Sequence, residues 1–413
     1  MRMFAILSLS FFPLLVLAQP SPIVQTSRVV PAPPTLQKPR DLAKIPDGAQ
    51  PIYFCAERAT DWLRLANRAD GRFKYGLQPA LKTNLDGDNY LSQVGAGFAL
   101  ARAGRYFCDE RITAVARQSL LTLLLETMPD PDDKSCRCSA APPLAISRLH
   151  ANGTLVLAIH ELANPGTDLL DKADELCNYI RKQQRPDGSL LVTIGPNLVR
   201  GHSPDGEAEN AGWAMHGLIR SCKRRPADWK LDIVRKARGY YHDSWQTNRS
   251  IACVASQTPA YAEAYLLTKE KEFADTVFAM NDWLVGLQYR DEFESTRAHW
   301  AGGFPRSQNN KVESTTPDIS SARAAVSLAE ACRVAKHAGD LPRLQRYERA
   351  LLNNVQFLMK LQYTSYNTDH FTPTFRPNII GAFFASHQDG NIRIDYTQHA
   401  LTAMVQYLDA VIE

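Results

Sequence analysis

The chain has 413 residues, 45% hydrophobic and 22% charged, enough to build one large or two ordinary domains and too apolar for general disorder. Its 47 Lys and Arg against 43 Asp and Glu leave a formal charge of only +4, which argues against a nucleic-acid partner because such proteins concentrate basic charge on one face. The same figures exclude a collagen, a coiled-coil rod and a polytopic membrane protein.

The first 18 residues have the pattern of a signal peptide. Arg2 supplies the positive start, residues 4–17 form the apolar stretch, and Val16-Leu17-Ala18 precedes a cleavage site. The alternative is a membrane anchor, but a run of roughly 14 apolar residues is shorter than the ~20 that span a bilayer. We therefore expect export to the periplasm or the medium, with no membrane span after cleavage.

Residues 19–50 are predicted to form a proline-rich linker. This segment holds seven prolines and shows no apolar periodicity, a composition that favours extended conformations without internal hydrogen bonds. A single domain is then expected over residues 51–413.

Helical periodicity dominates the rest of the chain, and no alternating run is long enough to predict a sheet. A long amphipathic helix, a loop with Gly or Pro, and a second helix rich in small residues recur in that order. We predict six such pairs, at 55–69 and 89–106, 109–127 and 148–162, 168–184 and 208–222, 229–244 and 259–268, 273–289 and 317–338, and 341–363 and 396–412. Units of this kind bury their apolar faces by stacking on their neighbours. The predicted fold is all-α, a closed (α/α)6 barrel of six helical hairpins with the small-residue helices inside, and the alternative is an open solenoid.

Loops after the first helix of a pair carry related motifs. Gln184…Asp187-Gly188-Ser189-Leu190 is similar to the Gln…Gly-x-Trp loops of squalene-cyclase-like repeats, with Leu190 at the Trp position. On this motif and on its layout, the chain resembles the α/α-toroid superfamily, which includes terpenoid cyclases, protein prenyltransferases and (α/α)6 glycosidases, lyases and epimerases. The resemblance covers nearly all of 51–413 and assigns no single family.

The topology predicts where a binding site lies. All inner helices run in one direction, so their N-termini and the long loops before them meet at one mouth of the barrel. Free N–H groups and partial positive charge at those ends favour an anionic or hydroxyl-rich ligand. The catalytic candidates there are Asp88, Glu207, Glu209, Asp318, Asp395, Tyr396 and His399. The candidate substrate-binding residues are Tyr75, Asn89, Tyr90, Gln93, Arg148, His202, Trp300, Arg323 and Arg393.

Several of these residues also have a purely structural interpretation. Asp88 and Asp318 stand where helix N-caps belong, and Tyr396 fits an aromatic of the core. Asp395 and His399 are four residues apart and so share a helix face, where the carboxylate can orient the imidazole and stabilise its protonated form. We predict that both face the central cavity, together with a carboxylate from the start of the third or fifth inner helix.

The eight cysteines matter because disulfides persist outside the cytoplasm. Cys55 begins the first outer helix and Cys108 ends the inner helix beside it, so we predict that they form a disulfide at the end opposite the mouth. Cys136-Arg-Cys138 has no second Cys or His pair at ligand spacing, so no metal site is expected. No cofactor motif is present either.

Two main classes of function remain open. One is an exported carbohydrate-active enzyme, a hydrolase, lyase or epimerase, acting on a polysaccharide such as one containing uronic acids, with an acid and a base placed across one sugar. The other is a non-catalytic toroid that binds a glycan or a protein at the same mouth. A terpenoid-cyclase-like enzyme is a third alternative, supported only by the string Asp130-Pro131-Asp132-Asp133. The sequence does not indicate an oligomeric state.

Overall fold

The computed structural model describes residues 42–140, 147–192, 204–290, 295–308 and 310–412. The predicted signal peptide, most of the predicted linker and His202 lie outside these residues. Within the described ranges, no helix is long and apolar enough to cross a bilayer. Residues 42–50, the described end of the predicted linker, make two short 3-10 turns and bury Ile45 and Ala49 against the main core.

Twelve α-helices form the described part of the chain, in alternating outer and inner positions. The outer helices are α1 (Gln50–Ala66), α3 (Glu110–Leu125), α5 (Thr167–Lys182), α7 (Asp228–Thr247), α9 (Lys271–Gly286) and α11 (Leu341–Met359). The inner helices are α2 (Tyr90–Phe107), α4 (Arg148–Glu161), α6 (Pro204–Arg224), α8 (Ile251–Thr268), α10 (Ser321–Ala338) and α12 (Ile394–Ile412).

The inner helices close into a ring. Helix α2 packs on α4, α4 on α6, α6 on α8, α8 on α10 and α10 on α12, and α12 returns to α2. Outer helices pack around this ring, and α1 also contacts α12, so the first and last hairpins meet. This confirms the predicted closed (α/α)6 barrel of six hairpins and excludes the open solenoid.

Small residues let the inner helices approach one another closely. A Cβ on Gly153 of α4 would lie 2.4 Å from the backbone oxygen of Trp213 in α6. A Cβ on Gly217 of α6 would lie 2.7 Å from the backbone oxygen of Gly153. Real Cβ atoms do not tolerate such distances, so these glycines fix how tightly the third inner helix packs on the second.

The start of α8 differs from the prediction. We predicted a start at Pro259, whereas the helix begins at Ile251 and Pro259 lies inside it. Ser250 caps the helix, because its side chain accepts a hydrogen bond from the backbone N–H of Cys253. Tyr261 and Glu263 are therefore well inside the helix rather than at its start.

Short strands, which the sequence analysis did not predict, lie in the loops that lead into inner helices. They are β1 (Gly76–Gln78), β2 (Thr83–Asn84), β3 (Thr127–Pro129), β4 (Arg137–Ser139), β5 (Arg306–Gln308), β6 (Lys311–Glu313), β7 (Phe384–Ser386) and β8 (Asp389–Arg393). Strands β3 and β4 form one antiparallel hairpin and β5 and β6 another. The other four form an antiparallel sheet in the order β2-β1-β8-β7, with Gly76 opposite Arg393, which joins the first and last loops across the closure of the ring.

The predicted disulfide between Cys55 and Cys108 is wrong. All eight cysteines lie in the described residues, and all are thiols. The Cys55 thiol is buried and donates to Oε1 of Gln362 at 3.0 Å, so it points to the end of the last outer helix and not to α2. Cys108 ends α2 in a left-handed conformation (φ 54°), and its Sγ lies 3.6 Å from the backbone oxygen of Arg105 in its own helix. The two thiols are thus directed at different neighbours.

Candidate functional site

A cavity of about 190 Å3 opens where the inner helices begin, and we call it the mouth cavity. All six inner helices contribute residues to its lining, and on α6 and α12 the polar ones recur three or four residues apart, the spacing of one helix face. On α6 these are Glu209 and His216 with Trp213 between them, and on α12 they are Asp395, Gln398, His399 and Thr402.

Six of the predicted site residues line the mouth cavity. The catalytic candidates among them are Glu209, Asp395 and His399, and the substrate-binding candidates are Asn89, Arg323 and Arg393. The structure therefore brings Asp395 and His399 together with a carboxylate from the third inner helix. Their roles in catalysis stay predictions.

Both carboxylates of the mouth cavity bind arginines. Glu209 forms an ion pair with Arg323. Asp395 accepts hydrogen bonds from Nε and Nη2 of Arg393 at 2.8 and 2.6 Å, a bidentate pair. Burial raises the pKa of Asp395, and the Arg393 charge opposes that shift.

Tyr75 and Tyr396 position the Arg393 guanidinium. Its central carbon lies 5.1 Å from the centroid of the Tyr75 ring and 4.9 Å from that of the Tyr396 ring. The pairing of Asp395 is thus set by aromatic residues that do not themselves line the mouth cavity. Tyr75 and Tyr396, predicted as substrate-binding and catalytic residues, are placed by the structure as supports of this ion pair.

Two histidines of the mouth cavity are neutral at physiological pH. Burial, with further lowering by the charges of Arg323 and Arg393 and by His150, brings the pKa of His399 to about 3. Burial brings the pKa of His150 to about 4, although Glu209 opposes the shift. The expectation that Asp395 stabilises a protonated His399 is therefore wrong, because Asp395 binds Arg393 and the Nε2 of His399 lies 3.3 Å from Gln398.

His150 is held in a fixed orientation. Its ring stacks on Trp213 with centroids 5.1 Å apart and planes at 12°. Its Nδ1 lies 3.2 Å from Oδ1 of Asn210, which leaves the other ring nitrogen for a ligand. An oriented neutral imidazole of this kind can accept a proton from a bound molecule.

Asp88, Gln93 and Tyr90 support the fold and do not line the mouth cavity. Asp88 pairs with Arg72 and accepts from Gln93 at 2.8 Å. The Gln93 amide also bonds the backbone N–H and oxygen of Phe73 at 2.8 and 2.9 Å. The Tyr90 hydroxyl donates to the backbone oxygen of Leu123 at 2.8 Å inside the core.

The remaining candidates also lie outside the mouth cavity. Asp318 accepts from the backbone N–H of Ser320 and from Arg306, both at 2.9 Å, as a turn residue at the start of α10. Trp300 packs on Tyr289 with ring centroids 5.2 Å apart. Arg148 and Glu207 stand in the first turns of α4 and α6 but do not line the mouth cavity.

A largely buried layer of charged and polar groups crosses the barrel at the inner end of the mouth cavity, where Arg102 and Gln406 belong to its lining. We call it the charged layer, and each inner helix contributes one member: Arg102, Glu161, Arg220, Glu263, Glu330 and Gln406. Arg220 pairs with both Glu161 and Glu263, and Gln406 donates to Glu330 at 2.9 Å. Burial alone would raise the pKa of Glu161, but Arg102, Arg105 and Arg220 hold it below its ordinary value.

Among the residues that line the mouth cavity, the charged or titratable ones that were not predicted as site residues are His150, His216 and Arg102. His216 follows Glu209 by seven residues and precedes Arg220 by four, so helical spacing alone places all three on one face of α6. The Nε2 of His216 lies 3.4 Å from Glu263 in the charged layer. No group of three metal-ligating side chains is found among the residues that the structure describes.

Searches against protein-family models and curated sequences give no match. Among solved structures, the chain is similar to a D-mannose isomerase (TM-score 0.62, 12% identity, 88% of this chain and 99% of the other). It is also similar to a sugar epimerase from a ruminal bacterium (TM-score 0.60, 10% identity, 86% of this chain and 98% of the other). A third is an inactive variant of the α-1,6-mannanase of Salegentibacter sp. HEL1_6 in complex with α-1,6-mannotriose (TM-score 0.57, 12% identity, 89% of this chain and 100% of the other). These likenesses show that the chain has the α/α-toroid fold.

Proposed function

We propose that the protein is an exported carbohydrate-active enzyme that epimerises or isomerises a sugar in the mouth cavity. The observation that carries this proposal is the pair of neutral imidazoles, His150 and His399, in a cavity whose two carboxylates are engaged by arginines. Proton transfer to and from a sugar carbon needs a base that is free of its proton, and a neutral imidazole supplies one.

The proposed reaction uses the open-chain form of the sugar. One imidazole takes the proton from the carbon beside the carbonyl group, and the electron pair left behind forms an enediolate. Arg323, at the same cavity wall, stabilises the negative oxygen. Return of the proton to the neighbouring carbon, with transfer of the remaining hydroxyl proton from one enediolate oxygen to the other, gives an isomer. Its return to the opposite face of the same carbon gives an epimer.

Cavity size supports a small substrate. About 190 Å3 is below the roughly 300–1,000 Å3 of sites for drug-sized ligands, so one sugar unit suits it better than a chain. The isomerase and epimerase among the similar structures are compatible with this choice.

A second candidate is hydrolysis at the end of a glycan chain. Its support is that Glu209 and Asp395 both line the mouth cavity, since glycoside hydrolysis uses two carboxyl groups. The mannanase among the similar structures, bound to mannotriose, is compatible with this alternative. A non-catalytic glycan-binding protein is the third.

One experiment separates the three. The purified protein is incubated in D2O with mannose, glucose, fructose and their 2-acetamido analogues, and the solvent deuterium at C1 and C2 is followed by NMR. Parallel samples with α-1,6-mannotriose and a uronate polysaccharide are assayed for reducing ends and for the absorbance of unsaturated uronates. Deuterium exchange supports the proposal, reducing ends without exchange support hydrolysis, and binding without either product supports the third candidate.

Variants locate the reaction in the mouth cavity. His150→Asn and His399→Asn should each lower exchange by about 10^2- to 10^4-fold. His370→Asn, on the exposed surface, is the matched control and should exchange at the unaltered rate. Equal exchange in all three variants would place the reaction elsewhere.

Export is part of the proposal and rests on the pattern of residues 1–18. The expected mature N-terminus is Gln19. N-terminal sequencing of the protein recovered outside the cytoplasm checks this, and an intact Met1 on that material would contradict cleavage.

A further inference from the structure

A second cavity lies at the opposite end of the barrel, where the inner helices end. Its volume is about 800 Å3, and we call it the basic cavity. Seven basic side chains line it: Arg102, Arg105, Arg220, Lys223, Arg224, Arg333 and Lys336. The lining carboxylates are Glu263, Glu330 and Asp409. Glu161, which pairs with Arg102 but does not itself line the cavity, is a fourth carboxylate. The seven Arg and Lys side chains therefore outnumber the carboxylates seven to four.

Part of this positive charge is already neutralised. Glu161 pairs with Arg102, Arg105 and Arg220, and Glu330 binds Arg333 at 2.6 Å. These pairs lie in or beside the charged layer, which forms one wall of the basic cavity. They fix the arginines in place, and Lys223 is likewise engaged, because its Nζ lies 3.3 Å from Oε2 of Glu263.

Arg224 and Lys336 have no carboxylate partner among the described residues. Arg224 donates only to the backbone oxygen of Leu162, at 3.3 Å. Burial, reinforced by the charge of Arg105, lowers the pKa of Arg224, and burial also lowers that of Lys223. The charge of Arg105 is thus close enough to act on Arg224, and an anion beside Arg224 would relieve the repulsion between the two guanidinium groups.

Helix polarity explains some of these basic residues, because cations near helix C-termini are favourable. It does not explain His160, which lines the same cavity. The His160 side chain is only 2% exposed, yet neither of its ring nitrogens has a hydrogen-bond partner. Buried polar atoms are nearly always satisfied, so a buried imidazole without a partner indicates a missing ligand atom.

We propose that the basic cavity binds a phosphate group at His160, Arg224 and Lys336, either as inorganic phosphate or on a phosphomonoester. A tetrahedral dianion presents oxygens in several directions and so can accept from side chains on α4, α6 and α10 together. A single carboxylate has one charge and one plane, and it would leave most of the excess unbalanced. This site is separate from the mouth cavity and does not depend on the function proposed there.

Calorimetric titration of the full chain at pH 7 and low salt tests the proposal. Inorganic phosphate and glucose 6-phosphate are the two probes, with acetate and glucose as their matched controls. We expect saturable binding of the phosphate probes that weakens as NaCl is added, and no saturable binding of the controls. If glucose 6-phosphate binds more tightly than inorganic phosphate, the ligand is a phosphomonoester. If the two probes bind with equal affinity, the site recognises the phosphate group alone.

Substitutions assign the binding to this cavity. Arg224→Gln and the exposed Lys336→Gln should each weaken phosphate binding about tenfold or more, because each removes a charge-assisted hydrogen bond. Arg323→Gln, in the mouth cavity, should leave it unchanged. Circular dichroism verifies that each variant is folded, and Lys336→Gln keeps the test valid if Arg224→Gln does not fold.

Two results would overturn the proposal. The first is the absence of saturable phosphate binding at millimolar concentration. The second is binding that survives Lys336→Gln and Arg224→Gln but is lost in Arg323→Gln, which would place the anion in the mouth cavity.

Discussion

Glu209 of α6 and Arg323 of α10 form an ion pair across the mouth cavity, although α8 lies between their helices in the ring. The two residues are 114 positions apart in the chain. Both side chains keep about a quarter of their exposure, at 27% and 23%, so they face a space that solvent or a ligand can enter. The pair therefore spans the cavity, and burial together with the charge of Arg323 lowers the pKa of both His150 and His399.

Glu209→Gln should lower turnover strongly with little effect on stability. The substitution frees Arg323 from its carboxylate, and a misplaced guanidinium no longer stabilises the developing negative oxygen, so we expect a loss of about 10^2-fold or more. The free energy of unfolding should change by less than about 1 kcal/mol, because the pair is partly exposed. Steady-state kinetics and urea denaturation measure the two effects. Arg306→Gln, which breaks the pair with Asp318 outside the mouth cavity, is the control and should leave turnover intact.

Stability should fall as pH decreases from about 6.5 towards 4. The pKa of His150 is about 4 and those of His160 and His399 are about 3 in the folded chain, against about 6.5 when unfolded. Between these values the unfolded chain binds protons that the folded chain excludes, so the free energy of unfolding rises with pH by at most about 1.4 kcal/mol per unit for each histidine.

Urea denaturation at several pH values checks this dependence. His160→Leu should reduce the slope by about one proton. A free energy of unfolding that stays level between pH 7 and pH 5 would contradict the depressed pKa values.

Glu161→Gln should be among the most destabilising single substitutions. Glu161 is fully buried and pairs with Arg102, Arg105 and Arg220, so its loss leaves three guanidinium groups without that carboxylate. Removing one partner of a buried pair costs about 3–5 kcal/mol. Glu175→Gln is the matched control, because the Glu175 side chain pairs with Arg137 and Lys172 and is 24% exposed, so about 1 kcal/mol or less is expected there. Similar unfolding midpoints for the two variants would refute this difference.

Gly153→Ala and Gly239→Ala should have opposite effects on stability. At Gly153 the new methyl group would meet the backbone of α6 at 2.4 Å, which forces the two inner helices apart and costs about 1–3 kcal/mol. At Gly239 on α7 no atom lies within 4 Å of the added Cβ, so alanine should stabilise the helix by about 0.5–1 kcal/mol. Thermal unfolding of both variants measures the signs, and destabilisation at Gly239 would contradict the open space there.

The order and the inner or outer position of the helices could be predicted from periodicity, because a helix that buries one face carries that face in its sequence. Helix α11 begins at Leu341, as predicted. The start of α8 could not be read in the same way, since Pro259 suggested a helix start, whereas the actual start depends on the Ser250 cap eight residues earlier. The strands β1 and β8 are too short to show alternation, and their pairing exists only because the ring closes.

The candidate site could be predicted in part. Helical spacing placed Asp395 and His399 on one face, and both line the mouth cavity. Their partners were not predictable, because Asp395 binds a neighbour two residues away while Glu209 binds a residue in another hairpin. Sequence proximity likewise misled the assignment of Cys55, whose partner Gln362 is 307 residues away.

The charged layer has a consequence for how the barrel is made. Arg220 on the third hairpin neutralises Glu161 on the second and Glu263 on the fourth, while Gln406 on the sixth satisfies Glu330 on the fifth. An arc of five hairpins would leave at least one of these groups buried without its partner, and such a group is costly. Open repeat arrays can gain or lose a unit at their ends, whereas this ring has no end unit to spare. The barrel should therefore assemble and melt in a single cooperative transition. A variant chain with one hairpin added or removed should not fold into a stable ring.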